Sequence, residues 1–103
     1  MTVAVFQRIE GENMPALLHQ VTEEMGVIDD PPEGLIVHVT IVRDGAAEAV
    51  DVWESRQQFD SFVEQRLMPA FGKVAERNGL DPQAFAGGPG PDVYDAEDLV
   101  RGR

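Results

Sequence analysis

Two β-branched segments around an Asp-Gly pair bring a histidine and an aspartate to positions where they could do acid–base chemistry. The segments span residues 35–42 and 47–54, and the turn between them contains Asp44-Gly45. Asp-Gly between such segments is a strong signal for a β-hairpin. A hairpin centred on this pair places His38 directly opposite Asp51. Opposed side chains have Cβ atoms about 4.5–5.5 Å apart, which is within reach of a hydrogen bond.

The same register divides the hairpin into two faces, because side chains alternate along a strand. One face mixes polar and aromatic residues, which is unusual for packing but suitable for a pocket: Ile36 opposite Trp53, His38 opposite Asp51, and Thr40 opposite Ala49. The other face is apolar, and we expect it to lie under the helices: Leu35, Val37, Val39, Ile41, Val50 and Val52. The polar face is then expected on the uncovered side of the sheet.

His38 and Asp51 are the candidate catalytic residues. A carboxylate on one ring nitrogen would orient the imidazole and favour its protonated form, leaving the other nitrogen free to exchange a proton with a ligand. Trp53 offers a flat wall for an aromatic substrate. Thr40 and Ile36 share this face and are expected to help bind the substrate.

A structural interpretation of the same residues stays open. A cross-strand His–Asp pair is often a structural or interface hydrogen bond, and a lone tryptophan often fills a core or a dimer interface. The coincidence of His38, Asp51 and Trp53 on a face that the helices leave uncovered favours ligand binding.

Four residues outside the hairpin are predicted to lie either in the cavity or on the protein surface. Phe6 on the first predicted strand and Tyr94 on the fourth are further candidates for lining the cavity. His19 lies opposite the apolar stripe of the first predicted helix, and Arg66 lies in the second. Both are expected on solvated helix faces.

The remaining patterns supply the first half of the scaffold. Residues 2–9 are β-rich and predict the first strand. A helix follows, because apolar residues recur at helical spacing over residues 14–25, and Asn13 is expected to cap it.

The second half begins with Ser55-Arg56-Gln57-Gln58, which has the form of a capping box. The helix that it opens is expected to run to about residues 78–79, and Pro69 should kink or split it near Leu67 because proline has no N–H to donate. Residues 88–91 predict a flexible connection, residues 92–96 a short fourth strand, and residues 97–103 a polar C-terminal tail.

The element order is β-α-β-β-α-β over a single predicted domain of residues 1–103. This is the ferredoxin-like α+β pattern, with one four-stranded antiparallel sheet and two helices on one face. A chain of 103 residues is too small to cover the other face as well. We therefore expect a homodimer, in which a second copy covers it.

Composition excludes several classes of function. Eight Lys and Arg against 19 Asp and Glu give a net charge of −11, which argues against nucleic acid or an anionic membrane as a partner. With no cysteine and two isolated histidines, no disulfide, thiolate nucleophile, metal site or bound cofactor is expected. The N-terminal residues lack a signal-peptide pattern, and no stretch approaches the roughly 20 apolar residues of a membrane span. A cytoplasmic location is therefore expected.

Several segments resemble the dimeric α+β barrel superfamily, and most of all its small members related to the antibiotic biosynthesis monooxygenase domain. The resemblance covers nearly the whole chain. It rests on the element order and on these residues: Asp51-Val52-Trp53-Glu54-Ser55, Phe59, Phe62 and Arg66-Leu67-Met68-Pro69-Ala70. It implies that two protomers press their sheets together and that each binds its ligand between sheet and helices.

Members of this superfamily include cofactor-independent quinol monooxygenases, haem-degrading oxygenases, lactone isomerases and polyketide-modifying enzymes. The haem-degrading branch uses a histidine on the second helix as its iron ligand, and residues 56–78 contain none, which argues against haem. For a cofactor-free oxygenase the resemblance implies His38 as proton acceptor from a phenol or quinol, Asp51 as its orienter and Trp53 as a pocket wall.

We therefore expect a dimer that binds a small aromatic or polyketide-like molecule and performs proton transfer or cofactor-independent monooxygenation on it. One alternative is a non-catalytic ligand-binding or stress-related dimer with a structural His38–Asp51 pair. Another is an accessory subunit that acts on no small molecule, and an interior packed solid beside His38 would favour it.

Overall fold

The computed structural model describes residues 1–11, 13–81 and 90–102. Its elements, in chain order, are β1 (Val3–Glu10), α1 (Met14–Met25), β2 (Leu35–Arg43), β3 (Ala46–Trp53), α2 (Arg56–Phe62), a π-helical segment (Val63–Leu67), α3 (Met68–Arg77) and β4 (Asp92–Asp95). Because α2, the π segment and α3 follow one another without a break, they form one long second helix. This confirms the predicted β-α-β-β-α-β order.

The four strands form one antiparallel sheet in the order β2-β3-β1-β4. β1 and β3 are central, and β2 and β4 are the edges. This is the ferredoxin-like α+β fold, as predicted. Of the expected flexible connection over residues 88–91, residues 88 and 89 lie outside the described part of the chain.

The turn between β2 and β3 fixes the register on which the site depends. Asp44 and Gly45 both have positive φ, 53° and 75°, as a two-residue hairpin turn of type I′ requires. Asparagine, aspartate and glycine adopt this conformation most readily. His38 therefore faces Asp51 and Thr40 faces Ala49, as predicted.

The expected pairing of Ile36 with Trp53 is wrong. Leu35 lies opposite Trp53, and an irregularity between Leu35 and Val37 leaves Ile36 as the extra residue. A bulge of this kind inserts one residue into one strand and shifts which side chain meets which. The turn sets the register only up to this point.

The expected orientation of the hairpin is also wrong, because its polar face lies under the helices. On that face Trp53 is 0% exposed and Asp51 is 9% exposed. On the opposite face Val37 is 44% exposed, and Val39 and Ile41 are similarly open. The prediction failed because the chain has two surfaces to cover and helices for only one. The large side chain of Trp53 packs under the helices, and the β-branched side chains of Val37, Val39 and Ile41 lie on the open face.

The core consists of two clusters. One joins the helices to each other: Val21, Ala70, Phe71, Val74 and Ala75. The other joins the start of the second helix to the sheet: Val3, Val5, Trp53 and Phe59. The helices therefore pack against each other through the first cluster, and the second helix packs against the sheet through the second cluster.

The two predicted N-terminal caps have different outcomes. Ser55 Oγ accepts the backbone N–H of Gln58 at 3.2 Å, so this half of the capping box is confirmed. The Gln58 side chain instead accepts a hydrogen bond from the Ser55 hydroxyl at 2.9 Å. Asn13 makes no side-chain cap, because it has the left-handed conformation, with φ 63°. Only its carbonyl oxygen joins the helix, accepting from Leu17 N–H at 3.0 Å.

The predicted break near Leu67 takes the form of the π-helical segment. Met68 N–H bonds to the carbonyl of Val63, five residues earlier. Pro69, the next residue, has no N–H and would clash with the carbonyl four residues before it in a regular α-helix. One wider turn relieves this conflict and lets the helix continue.

Of the two residues predicted on solvated helix faces, only His19 lies there. It is exposed and pairs with Glu23 at 2.8 Å. Arg66 instead reaches from the π segment to the end of α1, where its guanidinium donates to the carbonyls of Met25 at 2.6 Å and Asp30 at 2.9 Å. Its side chain is 24% exposed. A cation at these carbonyls stabilises the helix end and ties the two helices together.

Among the described residues, no helix combines the length and the apolar character needed to cross a bilayer.

The Arg66 contacts give a testable expectation for stability. Arg66→Met keeps the length of the side chain but removes two hydrogen bonds from a charged donor, so we expect the free energy of unfolding to fall by about 2 kcal/mol. Urea denaturation followed by circular dichroism measures this. Arg56→Met is the matched control, because the exposed Arg56 only approaches Asp60, at 3.9 Å. Equal losses in the two variants would contradict the proposed tie.

Candidate ligand-binding site

A cavity of about 770 Å³ lies between the sheet and the helices. Strands β1, β2 and β3 form one wall with Val5, His38 and Asp51, and the helices form the other with Val21 and Leu67 among its residues. Volumes of about 300–1,000 Å³, mostly apolar with a few polar groups, are typical of small-molecule sites. The solid interior that would favour an accessory subunit is therefore not observed.

His38 and Asp51 form the hydrogen bond that the register predicts. The ring nitrogen Nδ1 of His38 contacts Oδ1 of Asp51. Asp51 is on the central strand β3 and is buried, whereas His38 is on the edge strand β2 and is exposed. The pair therefore has a buried carboxylate on one side and an imidazole that borders the accessible part of the cavity on the other.

Trp53 contacts the same carboxylate. Its indole Nε1–H donates to Asp51 Oδ2 at 3.2 Å. Its ring packs against Phe59 and Phe62, with ring centroids 5.8 Å and 5.1 Å away. This hydrogen bond was not predicted, although residues two apart on a strand point to the same side, and Asp51 and Trp53 are two apart.

Thr40 occupies the other side of the imidazole. Its hydroxyl Oγ1 lies 3.1 Å from His38 Nε2. The nitrogen that the sequence analysis expected to be free therefore has a hydrogen-bond partner. The four side chains form one chain of contacts from Trp53 through Asp51 and His38 to Thr40.

This arrangement changes the acidity of His38. The hydrogen bond to Asp51 raises the pKa of His38 above its ordinary value, and the negative charge of Asp51 adds to the effect. Burial of the ring acts in the opposite direction and lowers the pKa, without cancelling the rise. His38 therefore keeps its proton to a higher pH than a histidine in water.

The other predicted site residues divide between the two faces of the sheet. Ile36 borders the cavity despite its different pairing. The structure does not bring Phe6 and Tyr94 there. They form an edge-to-face pair on the exposed face, with ring centroids 6.2 Å apart. Val5 faces Asp51 and occupies the inward position on β1, so its neighbour Phe6 points outward. The sequence offered no turn from which to fix the registers of β1 and β4.

The alternation of side chains along β1 places one further residue, not predicted from the sequence, on the inward face. Gln7 lies opposite Ala49 and borders the cavity. Its amide is a further polar group for orienting a ligand. Among the described residues, no group of three or more histidine, aspartate or glutamate side chains is placed to hold a metal ion.

No family model and no curated protein matches the sequence. Solved structures match over almost the entire chain. SnoaB, a cofactor-independent oxygenase from Streptomyces nogalater, is 16% identical, covers 96% of each chain and has a TM-score of 0.63. Rv0793 from Mycobacterium tuberculosis is 17% identical, with 98% of this chain and 100% of that chain covered and a TM-score of 0.67.

A third structure, from Deinococcus radiodurans, is provisionally assigned as an antibiotic biosynthesis monooxygenase. It is 9% identical, with 100% of this chain and 99% of that chain covered and a TM-score of 0.64. Likeness at these identities shows a shared fold, and the chemistry must be argued from the site itself.

The raised pKa of His38 predicts how stability depends on pH. A group whose folded pKa is raised stabilises the folded state below its unfolded pKa of about 6.5, and this contribution disappears as pH rises through the folded pKa. The difference in unfolding free energy between wild type and His38→Gln should therefore be largest below about pH 6.5 and should decrease as pH rises through the folded pKa of His38. Urea denaturation across this range measures it. His19→Gln is the control, and a pH-independent difference for His38→Gln would contradict the assignment.

Proposed function

Because the chain has the fold of antibiotic biosynthesis monooxygenase-like proteins, we propose that it binds a small aromatic or polyketide-like molecule in the cavity and acts on it by cofactor-independent oxygenation or proton transfer. The observation that carries the proposal is the convergence of His38, Asp51 and Thr40 on one wall of a largely apolar cavity. His38 is the proton acceptor, and Asp51 orients it.

The chemistry suits a phenol or a quinol. In the neutral form of His38, Nε2 accepts the hydroxyl proton, and the carboxylate of Asp51 stabilises the imidazolium that forms. The resulting anion is electron-rich, which is the form of a quinol that reacts with oxygen without a metal or a flavin. SnoaB, described as a cofactor-independent oxygenase, has the same fold and supports this choice of chemistry.

The charge of the protein favours a neutral substrate. A net charge of −11 repels anions at long range, so a ligand that enters the cavity is better neutral than acidic. A phenol meets this condition, because it becomes an anion only after His38 has taken its proton.

The expected cytoplasmic location stays a prediction.

A non-catalytic ligand-binding role is the second candidate. The observation that favours it is that Asp51 receives hydrogen bonds from Trp53 as well as His38, which is what a structural network needs. The two candidates differ in what the loss of His38 does to turnover.

The catalytic proposal is tested with 1,4-naphthohydroquinone as the substrate probe and 1-naphthol as the binding probe. Binding is measured by quenching of Trp53, the one tryptophan in the chain. His38→Ala should lower oxygen uptake with the quinol by roughly 100-fold or more, as loss of a general base typically does. The affinity for 1-naphthol should change only a few-fold.

Asp51→Asn should lower oxygen uptake as well and should also destabilise the fold, because the buried carboxylate has two partners. Arg56→Ala, at an exposed position that does not border the cavity, is the control and should behave as wild type. Oxygen uptake no faster than without protein, together with intact 1-naphthol binding, would favour the non-catalytic role.

We also propose that two copies pair through the exposed sheet face. That face carries an apolar row that a single chain leaves open: Phe6, Val37, Val39, Ile41 and Tyr94. A contiguous apolar surface of this kind is typical of an interaction site. The superfamily resemblance supports a second copy of the chain as the partner.

The dimer is tested by sedimentation equilibrium. Wild type should sediment at twice the chain mass of 11.3 kDa, and Val39→Asp should sediment at the mass of one chain, because it places a charge in the middle of the apolar row. Gln57→Glu adds the same charge on an exposed helix position and should leave the dimer intact. A wild-type mass of one chain at micromolar concentration would rule out the pairing.

A further inference from the structure

Trp53 makes a contact that a cavity wall does not need. It borders the cavity, but its side chain is 0% exposed, so it packs almost wholly against other protein groups. Its polar atom points instead at Asp51 Oδ2, at 3.2 Å. We propose that Trp53 is a positioning residue, which acts through Asp51 to hold His38 in the tautomer with the proton on Nδ1 and so makes Nε2 the proton-accepting atom.

The direction of the hydrogen bonds follows from the donor chemistry of each group. An indole N–H can only donate, and an ionised carboxylate can only accept. Asp51 Oδ2 therefore accepts from Trp53, and Oδ1 requires a proton on Nδ1 of His38. In the neutral imidazole this leaves Nε2 without a proton, since only one ring nitrogen carries one.

The geometry gives Trp53 the rigidity that a positioning role requires. Phe59 contacts the indole edge to face, with an interplanar angle of 62°. The ring centroid of Phe62 is closer, at 5.1 Å, and its plane is tilted by 42°. The rings hold the indole N–H in a fixed direction. Asp51, with one oxygen held by this donor, keeps its other oxygen directed at His38.

The Thr40 contact is compatible with this assignment. Oγ1 of Thr40 lies 3.1 Å from Nε2, and its hydroxyl can donate to an unprotonated nitrogen. Because a hydroxyl can also accept from Nε2–H, Thr40 fits either tautomer, and Asp51 is the neighbour that selects the Nδ1–H form. The use of Nε2 as a base rests on the proposed function, whereas the tautomer itself does not.

The test uses nuclear magnetic resonance without any substrate. Long-range ¹H–¹⁵N correlation spectra of the intact protein, recorded above the pH at which the ring signals of His38 stop changing, report which ring nitrogen carries the proton. We expect wild type to show the Nδ1–H form, although a histidine in water prefers Nε2–H. In Trp53→Phe the ratio of Nδ1–H to Nε2–H should fall on the order of tenfold, as expected for losing one hydrogen bond to a charged group.

Two further variants separate the N–H group from the bulk of the ring. Replacing Trp53 with β-(3-benzothienyl)alanine keeps both rings and exchanges N–H for sulfur, so the tautomer ratio should fall as in Trp53→Phe even if that variant folds poorly. Phe59→Leu loosens the packing but keeps the N–H, so its ratio should fall by less than that of the benzothienyl variant.

An Nε2–H form in wild type would overturn the proposal. So would an unchanged ratio in the benzothienyl variant, because Asp51 would then need no help from the indole. A fall in Phe59→Leu as large as in the benzothienyl variant would assign the effect to packing and would overturn it too.

Turnover of 1,4-naphthohydroquinone provides a second readout. A positioning role predicts a lower kcat at nearly constant KM in both the benzothienyl variant and Trp53→Phe, whereas a wall in contact with substrate predicts an unchanged kcat in the benzothienyl variant and a higher KM in Trp53→Phe. Absence of turnover in wild type would contradict the proposed function and leave the tautomer result standing.

Discussion

The buried carboxylate of Asp51 is the constraint on which the site depends. An ionised group at 9% exposure is costly unless hydrogen bonds and a nearby positive charge compensate for the lost water. Trp53 and His38 supply this compensation from two directions. Because both lie on the same sheet face as Asp51, the face that buries the tryptophan also places the imidazole beside the cavity. The packing of the second helix against the sheet and the geometry of the site therefore have the same origin.

The fold was predicted mainly from short sequence patterns. The Asp44-Gly45 turn, the Ser55 cap and the Pro69 break each depend on a few adjacent residues, and the structure shows all three. The cross-strand pairs closest to the turn follow from it directly. The pairing failed where a bulge entered at Ile36, since a bulge depends on how the strand end meets Gly34 and Glu54 across the sheet.

The orientation of the hairpin could not be obtained in this way. Alternation along a strand separates two faces, but it does not say which of them the helices cover. The usual rule that the apolar face lies inside fails here, because the apolar face has another use if a second copy covers it. The placement of Phe6 and Tyr94 failed for a related reason: their strands join the sheet through long-range pairing, which no local turn determines.

The division between the two faces also explains why the hydrogen-bonded side chains from Trp53 to Thr40 are tolerated inside so small a protein. A cavity beside His38 and Thr40 leaves these groups accessible, so only Asp51 needs full compensation from the protein. Were the helices to close tightly over β2, both side chains would lose water and their hydrogen bonds would have to replace it. The cavity between helices and sheet is therefore what permits the site. A ligand that fills it would complete the packing that the chain itself leaves unfinished.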